Sequence, residues 1–216
     1  MLRATLSFLC RAPIRALRPI LSESILARGT YRPHIVAPES WEKEYRSGSW
    51  SHLSDLRELG RYSAIVGYFS FLKPRGSVLD VGCGEGILQQ KLAPFCYRRY
   101  LGIDISETAI ATAMKRANDR ATFLCADITT FTPSQKFDLI VFNEILYYFA
   151  EPRAIIERLA PSLEPDGLMI ASIWTGLPGS RRALKIWRMI DAIAEIIDST
   201  TVSNREVWTI KVFRPK

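Results

Sequence analysis

A short segment of the chain combines three glycines with two acidic residues. The five residues are Asp80, Gly82, Gly84, Glu85 and Gly86. Because glycine lacks a Cβ atom, its backbone can approach a ligand closely and adopt left-handed turns. The spacing is GxGxG, not the GxGxxG of dinucleotide sites, in which the third glycine serves helix packing beside a pyrophosphate. Two carboxylates beside the loop disfavour a phosphate and favour a ligand that carries positive charge.

Two further carboxylates come at the ends of the next two apolar runs. Asp104 closes the run Tyr100–Ile103, and Asp127 follows the run Thr122–Cys125. The first can accept hydrogen bonds from both hydroxyls of a ribose, and the second from the amine of an adenine. Each acid alone is equally typical of a helix cap or a solvated turn. Acids at consecutive strand ends indicate an adenosine-containing cation, and S-adenosylmethionine, with its ammonium and sulfonium groups, fits that description.

The elements that must position these residues alternate between apolar strands and amphipathic helices. The predicted strands are Ser77–Val81, Tyr100–Ile103, Thr122–Cys125, Asp138–Phe142 and Gly167–Ile173. The predicted helices between them are Gly86–Leu92, Glu107–Asn118 and Pro152–Leu163. This alternation is typical of βαβ units in a parallel sheet with helices on both faces. Such sheets bind ligands outside the carboxyl ends of their strands, where the acids and glycines lie.

The C-terminal part departs from the alternation. A polar stripe over Arg181–Asp198 predicts one long amphipathic helix, and two β-prone runs follow it, Thr200–Val202 and Val207–Phe213. Only four residues separate the two runs, too few for a crossover helix, so we expect them to pair antiparallel. The expected fold class is α/β: a doubly wound seven-stranded sheet, mostly parallel, with a C-terminal antiparallel hairpin.

These motifs resemble those of the class I S-adenosylmethionine-dependent methyltransferases, over roughly residues 75–175 and the terminal hairpin. The resemblance implies a Rossmann-like fold and S-adenosyl-L-methionine as the cofactor. It implies that the glycine loop holds the methionine portion, that Asp104 binds the ribose, and that Asp127 binds the adenine. The residues implied to contact the cofactor are Asp80, Gly82, Cys83, Gly84, Gly86, Asp104, Ile105, Asp127, Ile128 and Asn143.

The segment after the fourth strand, residues 143–148, faces the methyl donor in that family. It reads Asn-Glu-Ile-Leu-Tyr-Tyr and lacks the two prolines that amino-methylating nucleic-acid and glutamine enzymes carry there. Residues 144–148 are similar to the corresponding segment of the rhizobial nodulation N-methyltransferases, which act on an amino-sugar oligosaccharide. This similarity implies a small acceptor, a glycan or amino sugar methylated on nitrogen or oxygen.

Two residues are candidates for a base that removes a proton from the acceptor. Methyl transfer is an in-line displacement at carbon, so positioning supplies most of the catalysis. Glu144 follows the fourth strand, where a hydrogen bond that only supports the cofactor site is an equal alternative. His52 has the intrinsic pKa of a base, although an ordinary histidine is the alternative there. We expect the acceptor pocket to form from residues 41–68, which are rich in aromatic side chains, and from residues 174–182.

The adjacent pair Arg61 and Tyr62 is a candidate for reaching the carboxylate of the cofactor. We expect residues 1–40 to form a basic extension, and residues 41–216 to form the methyltransferase domain with a helical lid over residues 41–73. In residues 1–30, arginines and apolar residues alternate without an acid before Glu23. That pattern is consistent with a helix on a membrane surface, an organelle transit peptide, or a helix or tail beside the domain.

The net charge of +7 raises nucleic acid as a partner, but the basic residues are spread out, so we expect none. An anionic acceptor near Arg181 and Arg182, or an anionic membrane, accounts for the same charge. The four cysteines show no metal-ligand spacing, which predicts reduced thiols, a cytoplasmic protein and no metal. The competing functions are a regulatory protein that binds S-adenosylmethionine without transferring methyl, and an NAD-type oxidoreductase, which the loop spacing disfavours.

Overall fold

The computed structural model describes residues 38–176, 181–204 and 206–216. Its strands are β1 Ser77–Val81, β2 Arg99–Asp104, β3 Ala121–Cys125, β4 Phe137–Asn143, β5 Leu163–Trp174, β6 Ala194–Ser203 and β7 Val207–Pro215. Its α-helices are α1 Pro38–Arg46, α2 Leu59–Leu72, α3 Ile87–Leu92, α4 Glu107–Arg116, α5 Pro152–Leu159 and α6 Arg181–Ile193. Short 3₁₀ turns cover Ser51–Ser54, Leu56–Glu58, Ala93–Phe95, Leu146–Tyr148 and Ala160–Ser162.

The strands form one seven-stranded sheet in the order β3-β2-β1-β4-β5-β7-β6. The pairs from β3 to β5 are parallel, and β7 runs antiparallel to both of its neighbours. The chain leaves β1 for β2 on one side and reaches β4 on the other, so the strand order reverses at β1. Open α/β sheets bind their ligands at such a reversal. The predicted fold class is confirmed.

Two apolar layers cover the sheet, one on each face. Residues of α2, α3 and α4 share one buried cluster with Val78, while residues of α5 and α6 share the other with Leu79. Successive side chains of β1 therefore enter opposite layers, as the two-residue period of a strand requires. All five residues of β1 are buried. The glycine loop begins at the end of this central strand, so its position is fixed by the most enclosed element of the domain.

The prediction of one long helix over Arg181–Asp198 is wrong for residues 194–198. The helix α6 ends at Ile193, and β6 starts at Ala194 and pairs with β7 from Ala194↔Pro215 to Ser203↔Val207. Most residues of this edge strand are exposed, so its polar residues face solvent and imitate the polar stripe of a helix. The ladder with β7 and the β-branched residues of this run favour the strand. The predicted antiparallel pairing is confirmed, with a longer first strand.

The helix predicted over Pro152–Leu163 is also shorter than expected. The α-helix α5 ends at Leu159, a 3₁₀ turn covers Ala160–Ser162, and β5 begins at Leu163. Pro161 has no N–H to continue the helical ladder, which explains the early end. The register between β4 and β5 shifts between Phe137 and Leu139, and this shift admits the early start of β5.

The predictions for residues 1–30 lie outside the described residues. So do the middle of the loop at 177–180 and Arg205. Within the described ranges, no helix combines the length and the apolar character needed to cross a bilayer.

Candidate cofactor and acceptor site

The glycine loop after β1 is built on left-handed backbone. Gly82, Gly84 and Gly86 have φ angles of +70°, +52° and +76°. The N–H groups of Gly82 and Cys83 both donate to the carbonyl of Ile103, at 2.8 and 2.9 Å, which fastens the loop to the end of β2. A Cβ atom on Gly86 would lie 3.0 Å from the ring of Phe123. Positive φ and close packing together explain the glycines.

Asp104, at the end of β2, is held by backbone donors on both sides. The N–H of Gly84 donates to its Oδ2 at 2.9 Å, and the N–H of Ser106 to its Oδ1 at 3.0 Å. Burial raises the pKa of Asp104, while the hydrogen bonds from Ser106 and Gly84 oppose this rise. Each carboxylate oxygen can accept about two hydrogen bonds, so both retain capacity for a pair of ligand hydroxyls. The predicted neighbourhood of the glycine loop and Asp104 is present.

Asp80 lies at the other side of the loop and is 1% exposed. The hydroxyl of Tyr100 donates to its Oδ2, and within the described residues its buried Oδ1 has no hydrogen-bond partner. Burial raises the pKa of Asp80 to about 7, with the hydrogen bond from Tyr100 opposing the rise and the charge of Asp104 adding to it. Buried polar atoms are normally paired, so the lone oxygen fits a site that receives an ammonium group.

Helix α2 brings a buried cation to the carboxyl end of β4. Arg61 is 1% exposed; its Nη1 donates to Oδ1 of Asn143 at 2.5 Å, and its Nε to Glu58 at 2.9 Å. Its guanidinium also lies over the ring of Tyr62, 4.2 Å from the centroid. The predicted cofactor residue Asn143 and the predicted pair Arg61 and Tyr62 therefore meet. The arrangement places a guanidinium, the natural partner of a ligand carboxylate, beside the predicted cofactor site.

Glu144 directly follows β4 and adopts a φ angle of +62°, in the left-handed region. Its Oε1 accepts from the hydroxyl of Ser172 at 2.8 Å, and its Oε2 from the N–H of Trp174 at 2.9 Å and the hydroxyl of Tyr147 at 3.1 Å. Burial raises the pKa of Glu144 to about 6, against the opposing charge of Arg61. The carboxylate therefore links the segment after β4 to the end of β5.

The loop after β3 holds the residues predicted to enclose the adenine. Asp127 is exposed, and its Oδ1 accepts from the N–H and the hydroxyl of Thr129, at 2.8 and 2.7 Å. Ile128 is 9% exposed, and Ile105, after β2, is partly buried. From α5, Arg158 donates to the carbonyls of Ile128 and Phe131 and so fixes the path of this loop. The role of Arg158 has no signal in the sequence, because its partners are backbone atoms.

Helix α1 lies against the start of α4, beside the glycine loop. The carboxylate of Glu42 accepts from the hydroxyls of Ser106 and Thr108, at 2.7 and 2.5 Å. The hydroxyl of Tyr45 would stand 2.8 Å from a Cβ atom on Gly84. Helix α1 therefore lies beside the glycine loop, with Tyr45 next to Gly84. The role of Glu42 has no signal in the sequence, because its partners are 64 and 66 residues away.

The aromatic side chains predicted for the acceptor pocket form one cluster. The ring centroids of Trp41 and Tyr148 are 4.6 Å apart, edge to face, and those of Trp41 and Trp50 are 5.8 Å apart. His52 adds to the cluster with its ring 5.9 Å from Trp50, and its Nδ1 lies 3.0 Å from the carbonyl of Ser49. The lid region and the segment after β4 thus meet through aromatic rings.

Arg182, predicted to face an anionic acceptor, has a different arrangement. Its Nε donates to the carbonyl of Tyr147 at 2.7 Å and its Nη2 to the carbonyl of Phe149 at 2.6 Å. The guanidinium thus fixes the path of the segment after β4, while its neighbour Arg181 is exposed. Within the described ranges, no group of His, Cys, Asp and Glu side chains is arranged to hold a metal ion.

The sheet order and a left-handed glycine loop beside an acid at the end of β2 define the class of S-adenosylmethionine-dependent methyltransferases. The model of the family described as "Methyltransferase domain" matches residues 52–206. The chain therefore belongs to this family, and the resemblance found in the sequence is confirmed.

Two curated relatives and one solved structure show the same relationship. Nodulation protein S of Sinorhizobium fredii is 33% identical over 126 residues, covering 56% of this chain and 58% of that protein. The ubiquinone biosynthesis O-methyltransferase of Neisseria meningitidis serogroup A is 31% identical over 143 residues, covering 63% of this chain and 58% of that protein. The matches thus span little more than half the length of these relatives.

The solved structure is the N-methyltransferase NodS from Bradyrhizobium japonicum WM9 in complex with S-adenosyl-L-homocysteine. It superposes with a TM-score of 0.70 at 22% identity, covering 82% of this chain and 97% of that chain. This likeness confirms the fold. S-adenosylmethionine, the cofactor expected from the sequence, is the cofactor of this class.

Proposed function

We propose that the protein transfers the methyl group of S-adenosylmethionine to a small acceptor. The observation that carries this proposal is the arrangement of Asp104, the left-handed glycine loop and the unpaired oxygen of Asp80 at the reversal of the sheet. This arrangement supplies acceptors for ribose hydroxyls and a negative charge for an ammonium. The buried carboxylates of Asp80 and Asp104 beside the loop would repel a pyrophosphate, which disfavours a dinucleotide.

The contacts support one role for each cofactor-binding residue. Asp104 would hold the ribose hydroxyls, Asp80 the ammonium and Arg61 the carboxylate. The loop residues Gly82, Cys83, Gly84 and Gly86 would enclose the methionine portion, and Ile105, Asp127, Ile128 and Asn143 would complete the contacts predicted from the sequence. When bound, the cofactor supplies a methyl group on a positively charged sulfur, which an electron pair of the acceptor displaces in line. The residues of the chain hold the two reactants, exclude water and accept a proton where the acceptor must lose one.

The two predicted bases have different surroundings. The Glu144 carboxylate accepts hydrogen bonds from Ser172, Trp174 and Tyr147, which supports the role of holding the segment after β4. His52 lies in the aromatic cluster, and within the described ranges its Nε2 makes no hydrogen bond. Its free ring nitrogen supports a proton-accepting role for an acceptor that stacks on the cluster.

The aromatic cluster supports an acceptor with a ring, and a glycan or amino sugar suits it because sugar rings stack on aromatic faces. The relatives are named for different processes, nodulation and ubiquinone biosynthesis, so their names do not select between nitrogen and oxygen as the methylated atom. An anionic acceptor would draw on Arg181, which is exposed at the start of α6.

Methyl transfer from radiolabelled S-adenosylmethionine into glycan, lipid and small-molecule fractions tests the proposal. We expect label in a small-molecule or glycan fraction with the unmodified protein, and none with the Asp104→Ala variant. Binding of the cofactor without transfer into any fraction would favour the alternative of a regulatory protein. Failure to bind the cofactor would remove both possibilities.

A further inference from the structure

Glu42 of helix α1 accepts three hydrogen bonds from residues at the start of α4. Glu42 accepts hydrogen bonds from the hydroxyl of Ser106 at 2.7 Å, the hydroxyl of Thr108 at 2.5 Å and the N–H of Thr108 at 3.2 Å. No residue of α1 is buried. Because elements with little buried surface open at low cost, a few hydrogen bonds can decide how often α1 leaves the domain.

The contact lies at the N-terminus of α4, where a carboxylate is stabilised by free N–H groups and by the helix dipole. The hydrogen bonds from the hydroxyls of Thr108 and Ser106 lower the pKa of Glu42 to about 2. Glu42 is therefore ionised at neutral pH. Its attraction for the start of α4 does not depend on a protonation switch.

Ser106 joins this contact to the proposed cofactor site. Its N–H donates to Oδ1 of Asp104 at 3.0 Å, while its hydroxyl donates to Glu42 at 2.7 Å. Ser106 is fully buried and also caps α4, accepting from the N–H of Ala109 at 3.1 Å. Ser106 therefore donates both to Asp104, proposed to bind the ribose, and to Glu42, which attaches α1 to α4.

On its other side, α1 presents aromatic side chains to the parts that receive the reactants. Tyr45 places its hydroxyl next to Gly84, and Trp41 meets Tyr148 edge to face. Release of Glu42 from α4 would therefore uncover both the glycine loop and the aromatic cluster. The geometry therefore connects the hydrogen bonds of Glu42 to access at the whole site.

We propose that Glu42 is a positioning residue that fastens α1 over the glycine loop and thereby slows the departure of the cofactor. The inference rests on the proposed function, because its ligand is the methionine-containing nucleoside. Glu42 touches neither reactant in this account; it acts through Ser106 and Thr108. Its loss should therefore change the dissociation rate far more than the association rate.

Stopped-flow fluorescence with S-adenosylhomocysteine as the probe tests this proposal, with the lid residues Trp41 and Trp50 as reporters. We expect Glu42→Ala to raise the dissociation rate at least about fivefold, as loss of a helix cap at a moving element implies. Glu39→Ala is the matched control, since Glu39 is an exposed residue of the same helix with no hydrogen bond to another described residue. We expect the control to dissociate at the wild-type rate.

A second variant changes the α4 side of the contact between Glu42 and Thr108. Thr108→Val removes one donor to Glu42 and leaves α1 unchanged, and the double variant should dissociate no faster than Glu42→Ala alone, because both act through one contact. Wild-type dissociation rates in Glu42→Ala, or additive effects in the double variant, would overturn the proposal. A wild-type protein that binds no S-adenosylhomocysteine would instead overturn the proposed function.

Discussion

The two buried acids beside the glycine loop differ in what surrounds their oxygens. Asp104 receives a backbone N–H on each oxygen, whereas Asp80 receives only the hydroxyl of Tyr100 and keeps one oxygen without a described partner. Burial without enough donors holds the pKa of Asp80 at about 7. A bound ammonium would supply the missing donor and a positive charge. Cofactor binding and the ionisation of Asp80 should therefore be coupled.

The affinity for S-adenosylhomocysteine should rise as the pH increases through about 7, because ionised Asp80 attracts the ammonium more strongly. Calorimetric titrations at several pH values between about 5.5 and 7.5 measure this slope. Asp80→Asn, which keeps the shape and removes the charge, should bind more weakly and show a flatter slope. An unchanged slope in the Asn variant would show that another group is responsible.

The raised pKa of Asp80 also has a consequence for stability without ligand. Since the folded state holds this proton more tightly than the unfolded chain, ionisation of Asp80 disfavours the fold. The contribution of Asp80 to the free energy of unfolding should therefore fall as the pH rises between 3.8, the ordinary value, and about 7. Denaturant unfolding of the ligand-free protein measures this decline, and Asp80→Asn should reduce it. A variant that declines as steeply as the wild type would contradict the assignment.

Substitution of Glu144 tests whether this residue holds the segment after β4 or acts as the base. Three donors surround the carboxylate of Glu144, which is consistent with a supporting role. We therefore expect Glu144→Gln to lower the rate of methyl transfer less than about tenfold and to leave the shape of the pH–rate profile unchanged. The measurement is kcat and KM for the acceptor across pH, with His52→Gln beside it. A loss above about a hundredfold, with loss of the limb near pH 6, would identify Glu144 as the base instead.

At the scale of the element, two arginines from consecutive helices hold consecutive loops. Arg158 of α5 binds carbonyls of the loop after β3, and Arg182 of α6 binds carbonyls of the segment after β4. Because a guanidinium has five donors in a fixed plane, it can fix two carbonyls at once. The loops that we propose to contact the adenine and the acceptor are thus positioned by arginines of α5 and α6.

The start of α3 gives an element-scale prediction. Gly86→Ala should lower the free energy of unfolding by about 1–3 kcal/mol, because an L-residue at φ +76° is strained and its Cβ would lie 3.1 Å from that of Ala113. Gly67→Ala is the matched control, since Gly67 lies inside α2 with open space around it, and it should stabilise by about 0.5–1 kcal/mol. Denaturant unfolding measures both. Equal effects of the two changes would contradict this account.

The boundary between α6 and β6 shows where sequence patterns lose information. Polar residues of 194–198 continue the helical stripe in the sequence, yet the run pairs with β7 as an exposed edge strand. The periodicity of polar residues in a sequence indicates which residues lie outside the core. An exposed edge strand and the exposed face of a helix both lie outside the core, so the pattern does not distinguish them. The predicted bounds of β1 to β4 agree with the structure within one residue at each end, and β1 and β4 are enclosed on both faces and must be apolar.

For the whole molecule, the order β3-β2-β1-β4-β5-β7-β6 brings the ends of β1, β2 and β4 together. This is why the acids and glycines could be grouped from the sequence alone. The contacts that complete the site were not predictable in the same way. Arg61 meets Asn143 across 82 positions, and Glu42 meets Thr108 across 66. Such pairs depend on how α1 packs on α4 and how α2 packs on the sheet, and no local sequence pattern specifies either packing.

Calorimetric titration with S-adenosylmethionine, S-adenosylhomocysteine and NAD tests the central claim most directly. We predict saturable binding of the first two, no binding of NAD, and binding at least about 30-fold weaker in Asp104→Ala, which loses the acceptors for the ribose hydroxyls. Asp119→Ala, which removes an exposed acid after α4, serves as the control. Absence of binding to both methionine nucleosides at protein concentrations well above micromolar, or binding of NAD in their place, would contradict the account.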